Sequence, residues 1–154
     1  MGRIRNIHTN SKYLLLFIFI SFVSCDKKQE MIKKFYGVWE ISKLEYYEKS
    51  STGNFSLQDI YTDAGYFLLY DQMYSIGNEC QYNINNSAIS VLTTGLGNSG
   101  YCLWYPVSQS QINLWNPNTS SNITINVTKK GNKMEWTFSS YDCQEIYYLH
   151  RADV

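Results

Sequence analysis

From residue 37 onward, apolar and polar residues alternate with a period of two, the mark of strands that bury one face. The clearest case is 122–128, Asn-Ile-Thr-Ile-Asn-Val-Thr. Across Lys130-Gly131-Asn132 follows its partner, 133–139, with Met134, Trp136 and Phe138 on one face. Further strands are predicted over 37–48, 66–70, 73–77, 80–85, 88–94, 101–108, 111–115 and 145–151. Asp71-Gln72 and Asn85-Asn86-Ser87 are the residue types that make hairpin turns between them. Pro106 falls inside an apolar run, which predicts an edge, a bulge or a strand end. Residues 50–63 read as the longest irregular piece, and 95–100 as the most flexible. The only helix predicted is 30–36, with Met31, Ile32, Phe35 and Tyr36 on one face and Gly37 ending it. The expected fold is all-β: an antiparallel up-and-down meander of about 8–10 strands after a short N-terminal helix, closed into a barrel or packed as a sandwich. Closure would remove the exposed edges that Asn- and Thr-rich strands otherwise leave open.

Composition narrows the class. Aromatics make up 16% of the chain, with 14 Tyr, 7 Phe and 4 Trp, and charged residues only 17%. That excludes a disordered chain, which is charge-rich and aromatic-poor. The formal net charge of zero divides unevenly. Residues 1–24 carry Arg3, Arg5 and Lys12 and no acidic group, whereas the rest carries 10 basic and 13 acidic residues. That remainder, one domain in size, is no strongly basic nucleic-acid binder. Its sum of −3 gives it little electrostatic reason to seek nucleic acid or anionic lipid headgroups.

The first residues read as an address. A basic start is followed by an unbroken apolar run, 13–23, long enough for a signal-peptide core and too short to span a bilayer. Phe22-Val23-Ser24-Cys25 resembles the lipobox of bacterial lipoproteins, with Phe22 where Leu is usual. The resemblance implies a signal peptide over 1–24, acylation of Cys25, and a bacterial membrane lipoprotein, exported and expected at the outer membrane on its periplasmic face or at the cell surface. Residues 25–34 would be a short tether and 35–154 the barrel domain. The lipid membrane is then a partner through Cys25.

A second resemblance begins at the first strand. Gly37-Val38-Trp39 follows a helical segment and opens a long strand, and Arg151 lies in the last one. This is similar to the Gly-x-Trp start of the lipocalin barrel and to the late Arg that packs over that Trp. Gly37, Trp39 and Arg151 would thus close one end of the barrel, with a guanidinium over an indole. With the lipobox, the pattern resembles the small lipocalin-like lipoproteins of Gram-negative bacteria.

Catalytic chemistry is hard to assemble from this sequence. After the signal segment the one His is His150, in a strand; no Gly-x-Ser-x-Gly elbow and no phosphate loop occurs. No catalytic residue, cofactor or metal site is therefore expected. A Cys₃His zinc site with His150 is disfavoured, because the Cys spacings are wide and lack Cys-x-x-Cys. Cys80, Cys102 and Cys143 remain as disulfide candidates in an oxidising compartment, with three pairings open. The lipocalin resemblance implies a non-catalytic protein that binds a small apolar or amphipathic ligand. Inward candidates to line such a cavity are Tyr82, Ile89, Val91, Ile112, Leu114, Ile125, Met134, Trp136, Phe138 and Tyr148, with Ile146 also on that face. The alternative is a lipoprotein with a filled barrel that serves as an interaction module. It would use its Tyr/Asn-rich exterior or residues 50–63 against protein or glycan.

Overall fold

The computed structural model describes residues 27–74, 77–85 and 99–152. A helix, α1 (27–35), leads into eight strands: β1 (Gly37–Lys49), β2 (Phe55–Tyr74), β3 (Gly77–Ile84), β4 (Ser99–Ser108), β5 (Gln111–Asn116), β6 (Ser121–Lys130), β7 (Lys133–Ser139) and β8 (Cys143–Arg151). Each strand pairs antiparallel with the next, and β8 pairs back onto β1, giving a closed, lipocalin-like up-and-down barrel. The signal segment with Cys25, the turn at 86–87, the strand expected over 88–94 with Ile89 and Val91, and the loop 95–98 lie outside the described residues.

Alternation fills the interior. Trp39, Phe67, Trp104, Trp136 and Tyr147 are wholly buried, and Phe67 sits among them with its ring centroid 4.5 Å from that of Trp136 and 6.1 Å from those of Tyr82 and Tyr147. Each such side chain removes about 150–250 Å² from water, a large apolar contribution to stability beside that of the buried aliphatic residues. α1 closes one end. It inserts Ile32 and Phe35 under the barrel, and the Trp39 indole donates to the Phe35 carbonyl at 2.8 Å.

Four expectations change. The stretch 66–77 is no hairpin about Asp71-Gln72, because β2 runs on to Tyr74 and a register shift between Leu69 and Met73 absorbs the two polar residues. The stretch 50–63 is not irregular throughout: from Phe55 it is strand, paired to β1. Residues 27–34, expected as part of a tether, belong to the helix 27–35, whose apolar face is packed. In β8 the inward residues are Cys143, Glu145, Tyr147 and Leu149, so Ile146 and Tyr148 face out. The register requires it. Leu44 and Trp136 both pair with Tyr147, and Ile41 pairs with Leu149, all on the core face. The inward Glu145 is tolerated because the Tyr147 hydroxyl donates to its Oε2 at 2.8 Å.

Pro106 lies within β4 opposite Ile112, and the ladder shifts register directly after it. Of the three options for a strand proline, a closed barrel leaves the bulge.

Candidate functional site

At the end closed by α1, Gly37, Trp39 and Arg151 do meet. The Arg151 guanidinium carbon lies 5.9 Å from the Trp39 ring centroid and 5.3 Å from that of Tyr36, and Nη2 donates to the Tyr36 carbonyl at 3.2 Å. Gly37 has φ of +131°, and a Cβ there would stand 3.0 Å from Arg151 Nη2. The glycine is what lets the guanidinium lie along the strand start.

Inside the barrel, Ile112, Leu114, Ile125 and Trp136 have no solvent exposure, Met134 and Tyr82 have 2% and 3%, and Phe138 packs against the core at its margin. A zero means that no water-sized space borders the side chain, inside the barrel or out. One donor among them is unspent: Trp136 Nε1 has no partner among the described residues.

The three cysteines separate. Cys80 and Cys102 are direct cross-strand partners on β3 and β4, wholly buried and facing inward. Burial first, then the neighbouring Cys102 thiol, pushes the Cys80 thiol well above its usual range. Both thiols are free, as is that of Cys143, which sits at the other end of β8 within 2.9 Å of Ser140 Oγ. His150 lies on the outer wall, 2.8 Å from Glu40 Oε2. The four residues of the disfavoured zinc site therefore do not converge.

Sequence reasoning missed a polar cluster on the outer wall. A register shift between Ile41 and Lys43, with the Ser42 hydroxyl donating to the Tyr148 carbonyl, turns Lys43, Glu45 and Tyr47 outward. Glu45 then accepts from Lys43 Nζ at 2.8 Å, Tyr47 at 2.9 Å and Tyr148 at 3.0 Å, and Lys43 Nζ stands 4.0 Å above the Tyr148 ring. Burial pushes the Glu45 carboxyl up, but the three hydrogen bonds and the Lys43 charge outweigh it and hold it below its usual value. Burial, then the bond to Glu45, raises the Tyr148 phenol to about 12. The cluster borders a groove of about 440 Å³ lined also by Lys133, Met134 and His150. Each Glu45 oxygen already accepts within the cluster, so its chemistry is that of a clamp between β1 and β8.

At the end opposite α1, β2 runs on past β3 as an arm backed by β1, which itself stays paired with β8 as far as Glu48. β3 pairs with β2 only from Gly65, so among the described residues 55–63 are bonded on the β1 side alone. Every residue from Phe55 to Ile60 is exposed on both faces, including Phe55 at 39%, Leu57 at 45% and Ile60 at 55%.

No protein-family model matches this chain, and no curated protein matches its sequence. Among the described residues, no helix is long and apolar enough to cross a membrane.

Proposed function

We propose that this protein is an exported, membrane-anchored lipoprotein, held by an acylated Cys25, whose filled lipocalin-like barrel acts as a non-catalytic module for a protein partner. The observation that carries the reading is the arm. Phe55, Leu57 and Ile60 stand exposed on a strand whose second edge is unpaired among the described residues, at the end farthest from α1. Such an edge offers main-chain hydrogen bonds to an added strand, and alternate apolar side chains give it selectivity. The packed interior weighs in the same direction, because a ligand among Ile112, Leu114, Ile125 and Trp136 would have to displace them.

One atom favours the second reading, a small apolar or amphipathic ligand inside the barrel. Among the described residues the buried Trp136 N–H lacks an acceptor, which a ligand oxygen would supply. Native mass spectrometry of the purified protein separates the two. The module reading expects the mass of the chain with its acyl groups and nothing else bound, and a stoichiometric small molecule released on unfolding would replace it with the ligand reading. A photo-crosslinking residue at Leu57 should then capture one discrete protein species in cells, and Phe55→Ser with Ile60→Ser should abolish it. Equal capture from a crosslinker on the far wall at Tyr105 would defeat the role of the arm.

A further inference from the structure

The charge of this domain is segregated. Of the ten basic residues after position 24, eight gather at one end of the barrel. α1 supplies Lys27, Lys28, Lys33 and Lys34; the turn region of β6 and β7 supplies Lys129, Lys130 and Lys133; and β8 ends on Arg151. These three elements touch. The Arg151 amide donates to the Asn132 carbonyl at 2.8 Å, its guanidinium to Tyr36, and Lys129 Nζ lies 5.6 Å from the Trp39 ring centroid. Lys34 Nζ reaches across to the Gln109 carbonyl at 2.8 Å, between β4 and β5. The crowding is electrostatic as well as steric. Burial, then the charges of Arg151 and Lys34, push the Lys129 ammonium below its usual value.

The acidic complement is smaller there. Glu30 is the one acidic residue of α1, and Glu135 on β7 lines one groove with Lys130 and Lys133. Asp71 and Glu79 belong to the β2–β3 side of that end, and Glu40 is engaged by His150. The other carboxylates of β1 and β2, Glu45, Glu48, Asp59 and Asp63, lie farther along the barrel toward the arm.

Chain geometry fixes what faces this end. Cys25 stands two residues before the first residue of α1, and two residues span at most about 7 Å. α1 is fastened to the barrel by Ile32, Phe35 and the Trp39 indole. A surface that holds Cys25 therefore meets the basic end of the barrel within the reach of a lysine side chain.

We propose that the end formed by α1 and the β6–β7 turn is a docking face for anionic lipid headgroups, seated flat on the leaflet with the β1–β2 arm directed away from it. The proposal rests on reading Cys25 as the anchored residue. Attraction of basic side chains to an anionic leaflet decays within a Debye length, about 10 Å at 0.1 M salt. A barrel on a long tether would escape it; one held at the helix start does not.

Hydrogen exchange on the full protein, purified as made in its host, tests the face. Its intact mass first reports whether Cys25 carries acyl chains. The protein is then placed on vesicles of phosphatidylcholine alone and on vesicles of phosphatidylcholine with phosphatidylglycerol at 7:3. Amides of 27–36 and 129–133 should exchange several-fold more slowly on the anionic vesicles, with 55–60 unchanged. The difference should vanish in 0.5 M salt and in the combined variant Lys130→Glu, Lys133→Glu. Lys27→Glu with Lys28→Glu, on the exposed face of α1, is the second variant should the first fold poorly. Equal exchange on the two vesicles, or protection that survives both salt and charge reversal, overturns the docking face. An unacylated Cys25 defeats the anchor instead, while the dependence on phosphatidylglycerol still decides the face.

Discussion

Single atoms govern several positions in this barrel. A Cβ on Gly65, where φ is +120°, would stand 1.9 Å from the Asn83 carbonyl oxygen, and that oxygen belongs to the β2–β3 ladder. Gly65→Ala must therefore push β2 and β3 apart. It should cost more stability than Gly37→Ala, where the obstructing atom is a movable guanidinium. Urea denaturation of the two variants compares them directly. Cys80 and Cys102 offer a second test. Antiparallel partners have Cα atoms about 4.5–5.5 Å apart, inside the window for a disulfide. Two thiols exchanging with an oxidised dithiol carrier would leave a Cys80–Cys102 bond and two reduced carrier thiols. Peptide mapping of the protein isolated from an oxidising compartment without reductant should find this pair joined and Cys143 free. A bond to Cys143 instead would contradict the register.

At the scale of elements, one contact joins β1 to β8 and a second fastens α1 to β1. The β1–β8 clamp is pH-sensitive. Folded Tyr148 keeps its proton to about 12, whereas an unfolded phenol loses it near 10. A raised folded value contributes stability that is intact below about pH 10 and drains away as pH climbs toward 12. Glu45 acts in the opposite sense: its lowered value contributes above the ordinary carboxylate range and is lost on acidification through the folded value. Urea midpoints measured from pH 8 to 11.5 should fall less steeply for Tyr148→Phe than for the wild type. The second contact is α1 against Trp39. Trp39→Ala removes a fully buried indole and its hydrogen bond to Phe35. Loss of about 3–5 kcal/mol is expected from chemical denaturation, together with faster exchange in α1.

For the whole molecule, the geometry gives two unlike ends. One is basic, closed by a helix and adjacent in sequence to Cys25; the other carries an exposed apolar arm. A single net charge of −3 conceals this arrangement, and the expectation of little attraction to anionic lipid, drawn from that sum, took no account of where the lysines fall. Distribution, not sum, sets the field over the first Debye length. If the basic end seats on a membrane, the arm stands roughly a barrel length from it. Proteolysis of the vesicle-bound protein should then cut first in the β1–β2 arm and last in α1. An α1 cut as readily as in detergent would contradict that orientation.

The sequence by itself determined the architecture. Period-two alternation over 122–139 and across most other strands, one short helix ended by Gly37, and the pairing of Trp39 with Arg151 at one end all stand in the fold. These are local or strongly patterned signals, set by burial of one strand face. Even the face of β8 was recoverable. Arg151 shares parity with Tyr147 and Leu149, so its position over Trp39 already excluded Tyr148 from the core. What only the tertiary structure decided was non-local. The register shift at Ser42 flips Lys43, Glu45 and Tyr47 to the outer wall, and strict alternation continued from Trp39 and Ile41 would have carried them inward. The extension of β2 through Asp71 and Gln72, the meeting of Cys80 with Cys102, and the gathering of eight basic residues at one end likewise depend on which strands become neighbours. A chain read one residue at a time carries its own pattern, but the partner across the ladder belongs to the closed barrel.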